Sequence, residues 1–547
     1  MPKATSKKAR AIQTVSFVSL GCPKNLVDSE KMLGLLAESG ISPVPCAPDD
    51  PSFGGADAVV VNTCGFLEAS KDESLGVIKE AIAAKERGEV KKVVVAGCLV
   101  QRHRAKMLDW APGIDAMVGV FDRDKIVEAV FGGSGEKRGA APKTEDAPKY
   151  WIAGNALVAA KARGLETTGL TVHGKDAKGV GYFEDDSARL RLTPRHYAYL
   201  RISEGCNQNC AFCTIPSIRG KMRSKPIDKI VQEARELLAD GAFELLLIGQ
   251  DTTSFGDDIG AGLAQGQGLP ALLRALSDTM DEMGTRGWIR LMYAYPSNFS
   301  EPIIKSFGEL AKRGRLLPYL DIPLQHASDR VLALMRRNVT RAQQANVIRR
   351  LRESAPGMAV RTTFISGFPG ETEDDHRELL EFVEDMKFEA VGVFEYSHEA
   401  GTTAGTMEND PKLAVAPEVK ARRRSEVMEL QQRIAFARAA EIGSEFDEHA
   451  SKGPDGVARG RKLDILIDQP LRTSGRKTSG VGEGGRLFQG RTYFQAPQID
   501  AVTYVQSRER LAPGELVRCV ITGSDGYDLV ARPVSDVERS VGLKVLR

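Results

Sequence analysis

The stretch Tyr197–Gly220, YAYLRISEGCNQNCAFCTIPSIRG, decides how the chain is read. YAYLRIS has the composition of a strand, and it delivers Cys206, Cys210 and Cys213 onto the loop that follows. Three thiolates at these intervals can bind one metal centre, whereas a saturated tetrahedral zinc site takes four ligands. Zinc sites usually repeat paired cysteines or add histidines, but His196 lies upstream of the strand and no second C-x₂-C occurs anywhere. The triad therefore points to a cluster with one iron left open to a substrate.

Working outward, residues 195–425 repeat strand and helix. The predicted strands are YAYLRIS, FELLLIGQD, WIRLMYAYP, YLDIPLQ, AVRTTFISGFP and AVGVFEYS, separated by amphipathic stretches such as IDKIVQEARELLADG. Six such units imply a partial parallel (β/α)₆ barrel, since β-α-β crossovers keep one hand. Sites in such barrels sit at the carboxyl ends of the strands. The cysteine loop falls there, as do Gln250, Asp251, Gln325, His326 and the turn Gly367–Glu371.

Residues 1–132 read as a separate parallel-sheet α/β domain, with TVSFVSLG, ADAVVVNTCG and VKKVVVAGC as buried strands. Cys22, Cys64 and Cys98 each follow a strand end beside Gly or Pro, so three distant thiols are predicted at one rim. Buried core cysteine is the alternative reading for each. Residues 133–194, rich in Gly, Ala, Pro and charge, read as a partly disordered insertion or linker. A long helix, PEVKARRRSEVMELQQRIAFARAAEIG, leads through a connecting segment at 426–460 into a tail at 461–547. In the tail KLDILID, RTYFQA, AVTYVQS, ELVRCVITG and YDLVARPV read as strands of a small antiparallel barrel. The fold class is thus α/β multidomain.

The 547 residues carry 42% hydrophobic and 27% charged side chains and a net charge of +2, the balance of a soluble globular protein without a strong basic excess. No apolar run approaches the roughly 20 residues that span a bilayer, and the basic N-terminus lacks an export h-region. Eight cysteines in such a chain suit ligands better than disulfides, which points to a reducing cytoplasm.

SLGCPKNLVDSE, VNTCGFLEAS, AGCLVQR, ISEGCNQNCAFCTIPSIRGKMRS, IGQDTTSFG, DIPLQH, TTFISGFPGET and EYSHEAGT together resemble the methylthiotransferases of the radical S-adenosylmethionine (radical SAM) superfamily. The resemblance covers most of the chain and implies an N-terminal domain with an auxiliary cluster, a radical SAM barrel and a C-terminal TRAM domain. It implies two 4Fe–4S clusters, one on Cys22, Cys64 and Cys98 and one on Cys206, Cys210 and Cys213, with S-adenosyl-L-methionine as the second cofactor. Phe212 matches the aromatic position between the second and third cysteines; Gln250 and Asp251 are expected near the cofactor or as caps of the turn into the next helix, and Gly367 and Gly370 near the cofactor or as a plain β-to-α turn. LGCPKN, ISEGCN, IPSIRG, IGQDTT, GRTYFQAPQID and ITGSDGYDLVA favour the RimO type, which acts on a ribosomal protein, over the MiaB type, which acts on tRNA adenosine. The implied reaction places a methylthio group on the β-carbon of an aspartate in the decoding-centre protein of the small ribosomal subunit, free or on the ribosome. The implied partners are that protein and an electron donor such as flavodoxin or ferredoxin, with no membrane.

Other residues have blander readings. His326 is expected to be structural, although it could orient a group in the barrel mouth; His398 and Glu399 follow the sixth strand at the same face and draw only suspicion; Arg219 and Arg223 are expected to anchor a carboxylate or be solvated, and Cys46 and Cys519 to be packing residues. A non-catalytic metal protein that binds RNA through its tail is the rival from another class; it would cleave no S-adenosylmethionine.

Overall fold

The computed structural model describes residues 12–46, 50–132, 149–154, 158–159, 185–451, 457–471 and 485–538. The first sheet is wholly parallel. It comprises β1 (Thr14–Ser19), β2 (Ser42–Val44), β3 (Ala58–Thr63), β4 (Lys92–Gly97), β5 (Ala116–Val118) and β6 (Lys149–Trp151), in the order β2-β1-β3-β4-β5-β6. Every residue of β3 is buried, as expected of a parallel strand covered on both faces. Helix α1 (Pro23–Glu38) packs on one face and the helix Glu68–Glu86 on the other.

The stretch 133–194, expected to be linker, differs where it is described. Lys149–Trp151 forms β6, and Asp185–Thr193 lies along α1, where Glu30 accepts from the Leu192 amide at 2.8 Å. Val, Ile and Leu are sparse there, so no periodicity announces these contacts. Residues 133–148, 155–157 and 160–184 lie outside the described residues.

The second sheet is also parallel, with strands in nearly sequential order. It runs from β7 (Tyr197–Arg201) through β10 (Glu244–Ile248), β11 (Trp288–Leu291), β12 (Leu316–Asp321) and β13 (Ala359–Ser366) to β14 (Ala390–Glu395). Between β7 and β10, the short antiparallel pair β8 (Ser203–Glu204) and β9 (Arg223–Ser224) closes the base of the cysteine loop. The intervening helices bury regular faces, for example Ile230, Ala234, Leu237 and Leu238 on Ile227–Ala239. Thr340 with Gln343 and Thr372 with Asp375 form capping boxes that start the helices Arg341–Ser354 and Glu373–Met386. The inside of this partial barrel is filled by Tyr197, Tyr199, Leu246, Ile248, Trp288, Met292 and Tyr319. Val27 of α1 joins this cluster from the first domain, and Leu466 and Ala496 join it from the tail.

The helix Pro417–Ser444 leads to a closed barrel of β15 (Lys462–Leu471), β16 (Arg486–Arg491), β17 (Thr503–Ser507), β18 (Leu516–Asp525) and β19 (Asp528–Pro533). Its ladders are antiparallel except β17 with β19. RTYFQA, expected as a strand, contributes only Arg491 to β16. Beyond it the chain turns away, so that the Tyr493 and Gln495 carbonyls accept from Arg290 and the Tyr493 hydroxyl donates to the Gly357 carbonyl.

That seam is ionic. Glu244, at the start of β10, accepts from Arg290 and Arg491 at 2.6 Å each, and Arg491 also pairs with Asp468 at 2.9 Å. Burial by itself would raise the Glu244 and Asp468 carboxyls. Arg290 and Arg491 hold the first below the ordinary range, and His196 and Arg491 hold the second. Carboxyls depressed in the folded state contribute stability above their unfolded pKa of about 4, and lose it as pH falls further. The urea midpoint is therefore expected to be insensitive to these groups from pH 8 to about 5 and to fall steadily below about pH 4. Arg491→Met leaves Asp468 and Glu244 undercompensated and is expected to destabilise the tail's docking by about 3–5 kcal/mol, measured as a lowered urea midpoint at pH 7.

Candidate active site

The cysteine loop is held by backbone geometry. Gly205 has φ +78°, and a Cβ there would lie 2.2 Å from the Lys221 carbonyl oxygen, so only glycine lets the loop start between β8 and β9. The Ala211 amide donates to the Met335 carbonyl at 2.9 Å, and the Ala404 amide donates to the Ala211 carbonyl at 2.8 Å. Each sulfur has a donor nearby. The Gln208 amide reaches Cys206 Sγ at 3.4 Å, the Ile215 amide reaches Cys213 Sγ at 3.4 Å, and Arg337 reaches Cys210 Sγ at 3.6 Å. Donors of this kind favour thiolate over thiol.

The other three cysteines come from three loops of the first sheet. Cys22 precedes α1 with no side-chain cap and no acidic residue in the first turn, so the helix N-terminus faces the sulfur's residue unneutralised. A Cβ on Gly21 would fall 3.0 Å from Cys64 Sγ, and one on Gly65 would fall 2.7 Å from Leu99 Cα. These loops therefore touch. Cys98 opens the helix Cys98–His103, directly after Gly97 at φ +97°.

All six cysteines line a single cavity of about 330 Å³ between the first domain and the mouth of the barrel. Lys24, Phe66, Gln208, Phe212, Arg219, Gln250, Tyr293, Tyr295, Gln325 and Arg337 complete its main walls, and no Asp or Glu is among the lining residues. Burial pushes the Cys98 thiol up to about 12, Cys213 to about 12 and Cys206 to about 11. Metal ligation needs thiolates, so loading these residues releases protons. Among the described residues no three His, Cys, Asp or Glu side chains converge closely enough to hold a single metal ion.

Arg219 links the two cysteine sets. It is 2% exposed, and its Nε and Nη2 lie 3.3 and 3.2 Å from Cys98 Sγ, while Nη1 pairs with Asp28 at 3.0 Å and Glu204 at 2.9 Å. Asp28 of α1 also receives Arg123 and Arg201, Asp186 receives Arg123, Arg201 and Lys225, and Lys225 reaches Glu233. Four carboxylates thus face four cations, all buried. Burial would raise Glu204, but Arg219, Arg201 and Arg223 hold it well below the usual carboxylate range.

Some expected site residues lie elsewhere. Phe212 and Gln250 line the cavity; Asp251, Gly367 and Gly370 do not. Asp251 instead organises the turn after β10, accepting from Gln208, Thr253, Ser254 and Asn298 at 2.8–3.2 Å. The Gly367 and Phe368 amides donate to Glu371, and a Cβ on Gly367 would collide with Lys420, so packing explains that glycine. His326 accepts from the Ser328 amide in the core, and His398 meets Glu408 near the surface. Glu399 clasps the first domain by pairing with Arg102 at 2.8 Å. Arg223 donates to the Arg219 and Lys221 carbonyls, and Cys519 is buried in the tail barrel. Sequence reasoning missed Lys24, Tyr293, Tyr295 and Arg337. Tyr293 and Gln325 adopt φ +59° and +74°, a strain that sequence does not display.

Residues 200–383 match the radical SAM superfamily, 14–119 the uncharacterized protein family UPF0004 and 460–534 the TRAM domain. The ribosomal protein uS12 methylthiotransferase RimO of Symbiobacterium thermophilum is 38% identical over 94% of this chain and 90% of its own length. That of Marinobacter nauticus is 38% identical over 96% of this chain and 97% of its own. The chain belongs to the RimO family. It is a radical SAM methylthiotransferase, and its cofactors are S-adenosylmethionine and 4Fe–4S clusters. The solved radical SAM methyltransferase TsrM of Kitasatospora setae is 15% identical, with TM-score 0.49 over 72% of this chain and 77% of that one. No helix among the described residues is long and apolar enough to cross a membrane.

A Cβ at Gly97 would lie 2.3 Å from Asn62 Oδ1 and 2.7 Å from the Thr63 carbonyl oxygen, at a φ that disfavours side chains. Gly97→Ala is expected to destabilise the first domain by about 1–3 kcal/mol and to raise the reactivity of Cys98 toward a thiol reagent in the metal-free protein. Unchanged labelling kinetics would show that Cys98 does not depend on this turn.

Proposed function

We propose that this RimO-family protein attaches a methylthio group to the β-carbon of an aspartate in ribosomal protein uS12. The single observation that carries the reading is that six cysteines from two domains, in two sets of three, line one cavity. Cys206, Cys210 and Cys213 would hold one 4Fe–4S cluster and Cys22, Cys64 and Cys98 the other. Bound there, the clusters and S-adenosylmethionine supply electron delivery, a hydrogen-abstracting radical, the methyl group and the sulfur. An aspartate β-C–H is too weakly acidic for ordinary general-base removal, which is why radical chemistry suits it.

The chain's own residues perform the remaining tasks. Amides of the cysteine loop and the Arg337 and Arg219 guanidiniums stabilise ligand thiolates. Phe212, packed edge-on to Phe368 at 6.5 Å, and Gln250, whose buried Oε1 has no partner among the described residues, shape the wall where S-adenosylmethionine would bind. The first domain covers the barrel mouth and keeps water from a reactive intermediate. The electron donor is a flavodoxin or ferredoxin, and the work is done in the cytoplasm without a membrane.

Mass spectrometry of small-subunit ribosomal proteins from cells with and without the gene tests this reading. A methylthio increment on one uS12 aspartate, present only with the gene, is the expected result. An increment found instead on tRNA adenosine would replace the protein substrate. In the purified enzyme, Cys210→Ala is expected to abolish 5′-deoxyadenosine formation while leaving the auxiliary cluster's iron and absorbance in place. Retained deoxyadenosine production would remove the Cys206–Cys213 loop from its assigned role.

A further inference from the structure

The three sulfurs of the barrel's cysteine loop are not served alike. Cys206 Sγ and Cys213 Sγ face neutral backbone amides, those of Gln208 and Ile215, each at 3.4 Å. Cys210 Sγ faces a guanidinium: Arg337 donates to it from Nη1 at 3.6 Å. Among the described residues Arg337 is the one charged donor to this set. The other set has a guanidinium of its own, Arg219 on Cys98.

Backbone geometry fixes the pairing of Arg337 with Cys210. The Met335 carbonyl accepts from the Ala211 amide at 2.9 Å, which ties the residue after Cys210 to the chain two residues before Arg337. Arg336 takes φ +55° and turns the chain out of the helix Asp329–Leu334, while the Arg337 amide returns to the Leu332 carbonyl at 2.8 Å. At the other end of the side chain, Nη2 donates to the Pro323 carbonyl at 2.6 Å and the guanidinium lies 4.0 Å from the centroid of the Tyr295 ring. Arg337 is 6% exposed. A planar fork can serve a sulfur, a carbonyl and a ring together, which a lysine ammonium cannot do.

Iron–sulfur potentials depend on net charge, on hydrogen bonds to the sulfurs and on burial. The function proposed above needs one electron to pass from a flavodoxin or ferredoxin to the set on Cys206, Cys210 and Cys213. The donor loses that electron and the cluster gains it. Arginine stays protonated throughout, so no proton accompanies the transfer. The extra negative charge is stabilised by a guanidinium held against a ligand sulfur.

We propose that Arg337 is a positioning residue for electron entry: acting through Cys210, it raises the reduction potential of the cluster on Cys206, Cys210 and Cys213 more than that of its neighbour. This rests on the assignment of one cluster to each cysteine set and deepens it, since it names the side chain that makes one of the two easier to reduce.

The test is a reductive titration of the full-length enzyme, reconstituted anaerobically, with electron paramagnetic resonance reporting each one-electron midpoint. Wild type is expected to show two midpoints and Cys210→Ala one, so the midpoint that disappears belongs to the barrel's set. Arg337→Met is expected to make that midpoint more negative by at least about 59 mV, a tenfold change in a one-electron equilibrium. The other midpoint is expected to move less than about half as far. Arg337→Lys, which keeps the charge without the fork, is expected to recover part of the shift. Tyr295→Phe removes a hydroxyl 3.8 Å from Cys210 Sγ but keeps the ring under Arg337, and is expected to shift the midpoint less than Arg337→Met does. Iron content reports whether each variant assembles. If Arg337→Met does not, Arg337→Gln, neutral but still able to donate to the Pro323 carbonyl, is judged by the same criterion. An unmoved midpoint, equal shifts of both midpoints, or an equal shift in Tyr295→Phe would overturn the role of Arg337. A Cys210→Ala protein that keeps both midpoints would instead overturn the assignment of the clusters to their cysteines.

Discussion

The buried charge network around Arg219 is the constraint on which the rest of the structure depends. Asp28 comes from the first domain, Asp186 from the segment that joins the domains, and Glu204 from the strand leading into the cysteine loop. Each is tied to Arg201 at 2.5–2.7 Å, and two of the three are also tied to Arg219. Buried ion pairs add little net stability compared with apolar packing, but removing one member leaves an uncompensated charge. Such a network therefore acts chiefly on geometry, because it is satisfied only when the two domains meet in one relative orientation. That orientation brings Cys98 to Arg219 and sets the two cysteine rims around one cavity.

The same arrangement explains how one small space can serve two metal centres. The barrel supplies one cysteine set at the carboxyl ends of its strands, and the first sheet supplies the other at the carboxyl ends of its own strands. The two rims face each other across about 330 Å³. Carboxylates bind the domains together behind the walls, while the lining itself carries cations, aromatic rings, amides and thiols.

Side-chain direction is what strand position leaves open. For Asp251 and Gly367 the family resemblance suggests the cofactor's neighbourhood and the local sequence suggests a turn, and position along a strand does not fix the direction of a side chain. Asp251 points into its own turn, and Gly367 yields space to Lys420. Arg219, for which the sequence offers a carboxylate anchor or a solvated side chain, pairs with Asp28 and Glu204 and also touches Cys98, 121 residues earlier, a contact no local pattern announces.

By itself the sequence determined the local and periodic features. These are the three-cysteine loop, the apolar strands ending in Cys22, Cys64 and Cys98, the six strand–helix units and the small strand-rich tail. Each follows from residue spacing within a few turns or strands, where backbone geometry has few options. Only the tertiary structure decided which rim meets which, that Lys149–Trp151 completes the first sheet, that the barrel core runs from Val27 to Leu466, and that Lys24 lines the cavity. Those outcomes depend on burial and on pairing between charges scores or hundreds of residues apart. No local pattern encodes such pairing, because its energy exists only after the domains have closed.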